Sequence, residues 1–119
     1  MLYALLIYGK EAEWDAMDRA QRQRQMDSHI KAAQITHADG ALLAGVRLRP
    51  TRFASTVRST ANGITVTDGP FAETKEQFGG FQLLDCATFD DAVRYAKQLV
   101  ECRGTVEIRP IHPSPESID

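Results

Sequence analysis

The sequence predicts a single α+β domain, and three observations support this prediction. The chain has 119 residues, 43% of them hydrophobic and 25% charged, which is the size and composition of one ordinary globular domain. Apolar or β-prone runs alternate along it with two stretches of helical pattern. Glycine follows several of these runs, as at Gly9, Gly40 and Gly104, and glycine commonly ends strands and helices.

The first half of the chain predicts a strand, a helical region and a second strand. Residues 2–8 form a continuous apolar run, which suits a central strand covered on both faces. Residues 11–39 are rich in Ala, Gln and Arg and contain no proline, and their first part, around Trp14, is a candidate for a separate short helix. Residues 41–48 are a candidate strand that Pro50 ends. The helix positions predicted to share one packed face are Met26, Ile30, Ala33 and His37.

The second half predicts a hairpin followed by a strand, a helix and a last strand. Two β-prone runs flank Asn62-Gly63, a pair that favours a hairpin turn because both residues accept positive φ at little cost. Thr88 followed by Asp91 resembles a capping box and indicates the start of a helix. The predicted strand ranges are 55–58 and 64–67 for the hairpin, 80–86 for the next strand and 105–111 for the last.

This order of elements, β-α-β, a hairpin, then β-α-β, predicts a ferredoxin-like βαββαβ fold with an inserted β-hairpin. Both helices then cover one face of the sheet, and the other face needs a cover. Pairing with a second copy is the usual solution, so we expect a homodimer. We expect one domain over residues 1–112 and a flexible C-terminal tail over residues 113–119.

Composition and motif spacing argue against several classes of function. A net charge of −2 does not favour a nucleic-acid partner, and the apolar start of the chain is too short to span a membrane. Cys86 and Cys102 show no metal-binding or redox spacing, so we expect reduced thiols in a cytoplasmic protein rather than a disulfide. The histidines lack a metal-binding pattern and Gly79-Gly80 lacks the spacing of a nucleotide loop, so we predict no metal and no cofactor.

Residues 66–81, with the sequence VTDGPFAETKEQFGGF, form the most distinctive stretch of the chain. This stretch resembles the signature of the DGPF-domain branch of the YCII-related (YciI-like) family, and the similarity extends over nearly the whole chain. The resemblance implies a ferredoxin-like fold, commonly a dimer whose sheets pack into an α/β barrel. It also implies an enzyme-like site with a histidine–aspartate pair, and His29, eleven residues before Gly40, stands at the spacing of the family's histidine.

Asp68 and His29 are the candidate catalytic residues. Asp68 opens an Asp-Gly-Pro turn, so its carboxylate either caps that turn or points into a pocket as a general base or as the partner of a histidine. His29 lies at the edge of the predicted helix face, within reach of a pocket rim, where an imidazole that titrates near neutrality can move protons. We expect His37 to pack in the core and His112 to be exposed.

The candidate ligand contacts are Arg47, Phe71, Glu73 and Lys75. Phe71 is expected to be a core or interface anchor, whereas Glu73 and Lys75 either form a solvated face or orient a ligand. Arg47 and Arg49 share a strand face, where they either protect an edge strand or clamp a carboxylate. Two functions remain open: a small-molecule-binding enzyme that uses His/Asp acid–base chemistry of lyase or isomerase type, and a non-catalytic ligand-sensing or protein-interaction module.

Overall fold

The chain forms six β-strands and three α-helices within residues 1–101 and 104–119, which the computed structural model describes. The elements are β1 (Leu2–Gly9), α1 (Glu11–Ala16), α2 (Arg19–Ala38), β2 (Leu42–Arg47), β3 (Ser55–Thr60), β4 (Gly63–Asp68), β5 (Gln77–Asp85), α3 (Phe89–Val100) and β6 (Thr105–Pro110), with a 3-10 turn at Thr51–Phe53. Four strands form one sheet in the order β2-β5-β1-β6, and every neighbouring pair is antiparallel. The predicted ferredoxin-like α+β fold with an inserted hairpin is confirmed.

The inner face of the sheet packs against the helices and holds the core. Tyr3 and Leu5 of β1 alternate with outward residues and face the same side as Leu84 of β5. Leu5 and Leu84 have no exposed surface. From the helices, α3 contributes Tyr95 and Leu99, both nearly fully buried, so α3 closes much of this core.

The opposite side of the sheet, which we call the outer sheet face, is apolar and has no cover from the helices of the same chain. Its members, identified from strand alternation and pairing, are Leu6, Tyr8, Phe78, Phe81 and Leu83. The rings of Phe78 and Phe81 stack with their planes 1° apart, and the ring centroids of Tyr8 and Phe78 are 5.5 Å apart. Thus β1 is central in the sheet, but among the residues that the structure describes only one of its faces is covered.

Side-chain caps set the starts of the two long helices. Asp18 accepts a hydrogen bond from the backbone N–H of Gln21, and the Gln21 side chain accepts one from the N–H of Asp18. The Thr88 hydroxyl accepts from the N–H of Asp91 at 3.2 Å, which confirms the predicted start of α3.

The predicted packed face of α2 is wrong by about a quarter turn. Ala32 and Thr36 are buried, whereas Ile30 is 45% exposed and His37 is exposed. The small Ala32 and Thr36 side chains allow a close approach of the helix to the sheet, and the Thr36 hydroxyl donates to the Ala32 carbonyl at 3.1 Å, so its polar group is satisfied. A helix this polar has too few large apolar residues to mark its inner face.

Strands β3 and β4 form a separate two-stranded hairpin that projects from the domain, and we call residues 55–68 the arm. Its loop is Ala61-Asn62, since Thr60 pairs with Gly63, and Gly63 takes the positive φ of 109°. Six-residue strands give the arm a length of about 20 Å. The radius of gyration is 16.5 Å, against about 13.5 Å for a compact chain of this length.

The remaining predictions on the chain ends and cysteines have mixed outcomes. From residue 111 to 119 the chain forms no helix or strand and is largely exposed, while the flexibility of the tail stays a prediction. Cys86 is a buried free thiol, and Cys102 lies outside the described residues. None of the helices in the described ranges is long and apolar enough to cross a membrane.

Candidate functional site

A cavity of about 540 Å³ lies between the two N-terminal helices and one end of the four-stranded sheet. This is the end where β1 and β2 finish and where β5 and β6 begin. Its wall includes Trp14 of α1, His29 of α2, Arg47 of β2 and Gln77 of β5. Small-molecule sites commonly have volumes of about 300–1,000 Å³, so the cavity has room for a metabolite-sized ligand.

His29 enters the cavity from the inner side of α2. It lies three residues before the buried Ala32 and seven before Thr36, so the helix repeat places all three on the inner side, and His29 is half-buried. Burial lowers the pKa of His29 below its ordinary value of 6.5, and the positive charge of Arg47 lowers it further. The imidazole is therefore neutral at neutral pH and has a lone pair that can accept a proton.

Arg47 stands at the cavity mouth with its guanidinium over an aromatic ring. The Arg47 guanidinium carbon lies 5.2 Å from the ring centroid of Trp14, and that of Arg22 lies 5.4 Å from it. Arg22 also donates from Nε to the backbone carbonyl of Trp14 at 3.0 Å, which joins α2 to α1. Arg47 makes no ion pair with a carboxylate in the described part of the chain, so its planar guanidinium is available to an anion.

The carboxylates that line the cavity already have protein partners. Both oxygens of Glu11 accept hydrogen bonds at 2.7 Å from Thr51, one from its backbone N–H and one from its hydroxyl. Glu76 accepts from the hydroxyl of Thr105 at 3.1 and 3.2 Å. These bonds hold the wall of the cavity together, but their donors are uncharged, so both carboxylates keep their negative charge beside the cavity.

Gln77 ties the signature segment to the first helix. Its side-chain oxygen accepts from the backbone N–H of Glu11 at 2.9 Å, and its amide nitrogen donates to the Thr74 carbonyl at 2.7 Å. A Cβ on Gly80 would clash with the carbonyl oxygen of Val46 in the neighbouring strand. The glycine at position 80 therefore serves the close approach of β2 rather than the approach of a ligand.

The structure brings together two of the predicted site residues, His29 and Arg47, and places the other four elsewhere. Asp68 is exposed at the end of β4, and its carboxylate makes no hydrogen bond to any residue that the structure describes. The other three predicted site residues are also exposed and lie outside the cavity wall: Phe71, Glu73 and Lys75. The catalytic role of Asp68 stays a prediction, since its own chain does not bring it to His29.

The turn after Asp68 is stabilised by its backbone. Gly69 has a positive φ of 99°, and its N–H donates to the Ala54 carbonyl at 2.8 Å. Arg49 does not form the predicted carboxylate clamp with Arg47, because its guanidinium lies 3.8 Å from the ring centroid of Phe53. The Arg47–Arg49 pair is therefore divided between the cavity and the base of the arm.

Sequence reasoning did not identify Glu11, Trp14 or Gln77 as site residues. Trp14 is the only tryptophan in the chain and belongs to a short helix directly after a buried strand, which is a usable signal. The partners of Glu11 lie 40 and 66 positions away, so no local pattern could predict them. Within the described ranges, no cluster of three or more His, Cys, Asp or Glu side chains could hold a metal ion.

Comparisons with known proteins identify relatives over almost the full chain. A family model of the YCII-related domain matches residues 1–114. The uncharacterized protein R00369 of Rhizobium meliloti (strain 1021) is 41% identical over 115 residues, which cover 93% of this chain and 92% of that protein. The structure of 5-chloro-2-hydroxyhydroquinone dehydrochlorinase (TftG) from Burkholderia phenoliruptrix AC1100, in complex with 2,5-dihydroxybenzoquinone, aligns over 94% of each chain with 10% identity and a TM-score of 0.49. The chain belongs to the YCII-related family.

Proposed function

We propose that this chain is a small-molecule-processing enzyme in which His29 moves a proton on an organic anion held by Arg47. One observation carries the proposal: a half-buried histidine with a lowered pKa faces a cavity beside a guanidinium that has no carboxylate partner in the described chain. Perturbed titratable groups in a cavity are candidates for catalysis, and a histidine must be in its neutral form before it can accept a proton.

The ligand is expected to carry one negative charge and an apolar body. The planar guanidinium of Arg47 matches a carboxylate, to which it can donate two parallel hydrogen bonds. Glu11 and Glu76 disfavour a second negative charge on the ligand. Trp14 and Met26 add apolar contact surface to the same wall. A small organic monocarboxylate fits these requirements better than a phosphate or a dianion.

The proposed reaction is a proton transfer of isomerase or lyase type. His29 takes a proton from a C–H or O–H bond of the bound anion, and the electron pair left on the substrate shifts toward its acceptor group. In an isomerisation His29 returns the proton to another atom, whereas in an elimination the electron pair expels a leaving group. The positive charge of Arg47 stabilises the negative charge that develops on the substrate, and such electrostatic stabilisation is commonly the largest catalytic effect.

Asp68, Phe71, Glu73 and Lys75 stay in the proposal as residues outside the cavity of their own chain. They can complete the site only if their segment moves or if a second copy supplies them. We propose a homodimer because the outer sheet face is apolar and uncovered. We also propose that the two sheets of the dimer close into an α/β barrel. The chain is further proposed to belong to the DGPF branch and to be cytoplasmic.

A second function, a ligand-sensing or protein-interaction module without catalysis, is favoured by one feature. Phe71 in the signature segment is 76% exposed, which is unusual for a phenylalanine and typical of an interaction surface. A module of this kind would use the cavity for binding alone. The two functions differ in whether His29 changes turnover or only ligand affinity.

The test is a turnover screen on a panel of small organic monocarboxylates, followed by variants on the substrate found. For His29→Gln we expect a loss in kcat of about 10²- to 10⁴-fold, the usual contribution of general base catalysis. Arg47→Met is expected to raise KM and also to lower kcat, because Arg47 holds the bound anion and stabilises the negative charge that develops on it. The matched control is His37→Gln, an exposed histidine on the same helix. Turnover by His29→Gln at the wild-type rate would contradict the acid–base role, and a ligand that binds without turnover would favour the sensing module.

A further inference from the structure

Gln82 is a buried polar residue in the middle of β5, and 3% of its surface is exposed. Its side-chain oxygen is buried and accepts no hydrogen bond from the residues that the structure describes. The buried Thr36, by contrast, satisfies its hydroxyl on the Ala32 carbonyl. A buried polar atom without a partner destabilises the folded state, and native proteins contain few of them. A role other than packing would explain why a glutamine occupies this position.

Strand pairing places Gln82 one row away from the wall of the cavity. On the inner sheet face Gly80 lies between Ile7 of β1 and Arg47 of β2, and these three residues line the cavity. In the next row on the same face, Gln82 lies beside Gly45 of β2. Diagonal neighbours on adjacent strands are about 7–8 Å apart, so one small ligand can contact both Arg47 and Gln82.

The neighbours of Gln82 leave the cavity as the source of a hydrogen-bond donor. Leu5, its partner on β1, and Leu84, two residues along β5, have apolar side chains with no exposed surface. A Cβ added to Gly45 would lie 3.9 Å from Cγ of Gln82, so the glutamine side chain packs over this glycine. Toward the cavity the next residue of β5 on this face is Gly80, which has no side chain to separate the carboxamide from the cavity.

The side chains around the cavity do not fill this role themselves. Arg47 is the diagonal neighbour of Gln82, but its guanidinium carbon lies 5.2 Å from the ring centroid of Trp14, and no hydrogen bond joins it to the Gln82 oxygen. The terminal torsion of glutamine has a broad range, so the carboxamide can turn toward Gly80 and the cavity. The oxygen is therefore left to a donor that enters with the ligand.

We propose that Gln82 accepts a hydrogen bond from a hydroxyl group of the bound ligand, so that the substrate is a hydroxy-substituted monocarboxylate. The inference rests on the proposed function and adds a recognition group to the same site. Arg47 binds the carboxylate at the cavity mouth, Gln82 binds the hydroxyl at the sheet, and the ligand is oriented between them. A hydroxyl suits this position better than an ammonium group, because a charge next to the apolar core is costly to bury.

The first experiment measures stability and needs no ligand. Gln82→Met keeps the length of the side chain and removes its polar group, and Gln34→Met makes the same change at an exposed position of α2. Because the oxygen has no partner, we expect Gln82→Met to raise Tm by roughly 4 °C and Gln34→Met to leave it unchanged. An unchanged or lower Tm of Gln82→Met would overturn the proposal, since the carboxamide would then be satisfied within the free protein, as by a buried water.

The second experiment compares monocarboxylates that differ by one hydroxyl group. The pairs are lactate and propionate, 3-hydroxybutyrate and butyrate, and 4-hydroxybenzoate and benzoate, and binding is followed by the fluorescence of Trp14, the only tryptophan. In at least one pair we expect wild type and Gln34→Met to bind the hydroxylated acid about 10-fold more tightly. Gln82→Met should lose that preference. A preference that survives in Gln82→Met, or a wild type that prefers no hydroxylated acid, would overturn the proposal.

The outcomes separate this recognition from the reaction. On a hydroxylated substrate Gln82→Met should raise KM about 10-fold with a smaller effect on kcat, because the hydroxyl is bound in both the ground state and the transition state. Turnover that requires His29 but is the same in Gln82→Met and wild type would overturn the role of Gln82 and leave the acid–base proposal standing. A hydroxyl preference that depends on Gln82, without any turnover, would do the reverse.

Discussion

The Glu11–Thr51 contact predicts a measurable link between the first helix and the base of the arm. The half-buried Glu11 carboxylate accepts two hydrogen bonds at 2.7 Å, and bonds to charged groups contribute about 1.5–3 kcal/mol each. In Glu11→Gln one oxygen remains as an acceptor and the other becomes an amide donor that faces a donor. We therefore expect the free energy of unfolding to fall by about 1.5 kcal/mol, which lowers Tm by roughly 4–8 °C.

Urea unfolding followed by both fluorescence and circular dichroism is the assay, because Trp14 on α1 is the only tryptophan. Loosening of α1 alone would move the fluorescence transition to lower urea than the transition seen by circular dichroism. Asp15→Asn is the control: it removes a carboxylate charge from an exposed position on the same helix, so less than about 0.5 kcal/mol should be lost.

A double-mutant cycle with Thr51→Val isolates the hydroxyl bond from other effects of the substitutions. We expect a coupling energy of about 1 kcal/mol between positions 11 and 51. Equal stability of Glu11→Gln and wild type, or a coupling energy near zero, would refute the reasoning that this contact holds the cavity wall.

Four further predictions concern ionisation, packing and thiol reactivity. The His29 ring protons should titrate by NMR with a midpoint below 6.5. Arg47→Met should raise that midpoint only part of the way to 6.5, because burial is the larger cause of the lowered pKa. A midpoint unchanged by Arg47→Met would contradict the effect of the Arg47 charge. Since the pKa of His29 is lower in the folded than in the unfolded chain, the stability due to neutral His29 is complete above pH 6.5 and is lost as pH falls through the folded pKa. His29→Gln should flatten that part of the stability–pH curve. An unchanged slope in this variant would contradict the lowered pKa. Leu84→Ala, at a site with no exposed surface, should cost about 3–5 kcal/mol in urea unfolding, and a loss below about 1 kcal/mol would contradict its place in the core. In a Cys102→Ser background, Cys86 should react slowly with a thiol reagent until the protein unfolds, because burial raises the pKa of its thiol; fast labelling of the folded protein would oppose this.

The order of the elements along the chain and the hairpin could be predicted because local sequence patterns determine them. The apolar run of β1, the Asn62-Gly63 signal and the Thr88 cap each identified an element, and the structure shifts the hairpin loop by only one residue, to Ala61-Asn62. The packed side of α2 could not be predicted in the same way. Ala32 and Thr36 are buried because α2 lies close to the sheet on that side, and the distance between helix and sheet depends on tertiary packing.

The candidate site was only partly accessible from sequence, for a related reason. Arg47 was identified from residue type and strand period, and His29 from its helix position together with the family resemblance, and the fold brings both to one cavity. Asp68 was joined to them by a resemblance, which says nothing of the distance across the fold. Because the hairpin is inserted between β2 and β5, it carries Asp68 to the arm base rather than to the cavity wall.

The signature segment connects the cavity to the arm through hydrogen bonds at both of its ends. Toward the end of the segment, the Gln77 side chain accepts a hydrogen bond from the N–H of Glu11 at the start of α1. Near its beginning, the Gly69 N–H donates to the carbonyl of Ala54, just before β3. Glu11 and Thr51 close the same circuit from the other side. A displacement of the arm would therefore reach Glu11 through a few bonded groups, and α1 carries Trp14, whose ring lies against Arg47 at the cavity. The conformation of residues 69–77 is thus constrained by hydrogen bonds to both the base of the arm and the wall of the cavity, which gives the signature a physical role even where none of its exposed residues touches a ligand.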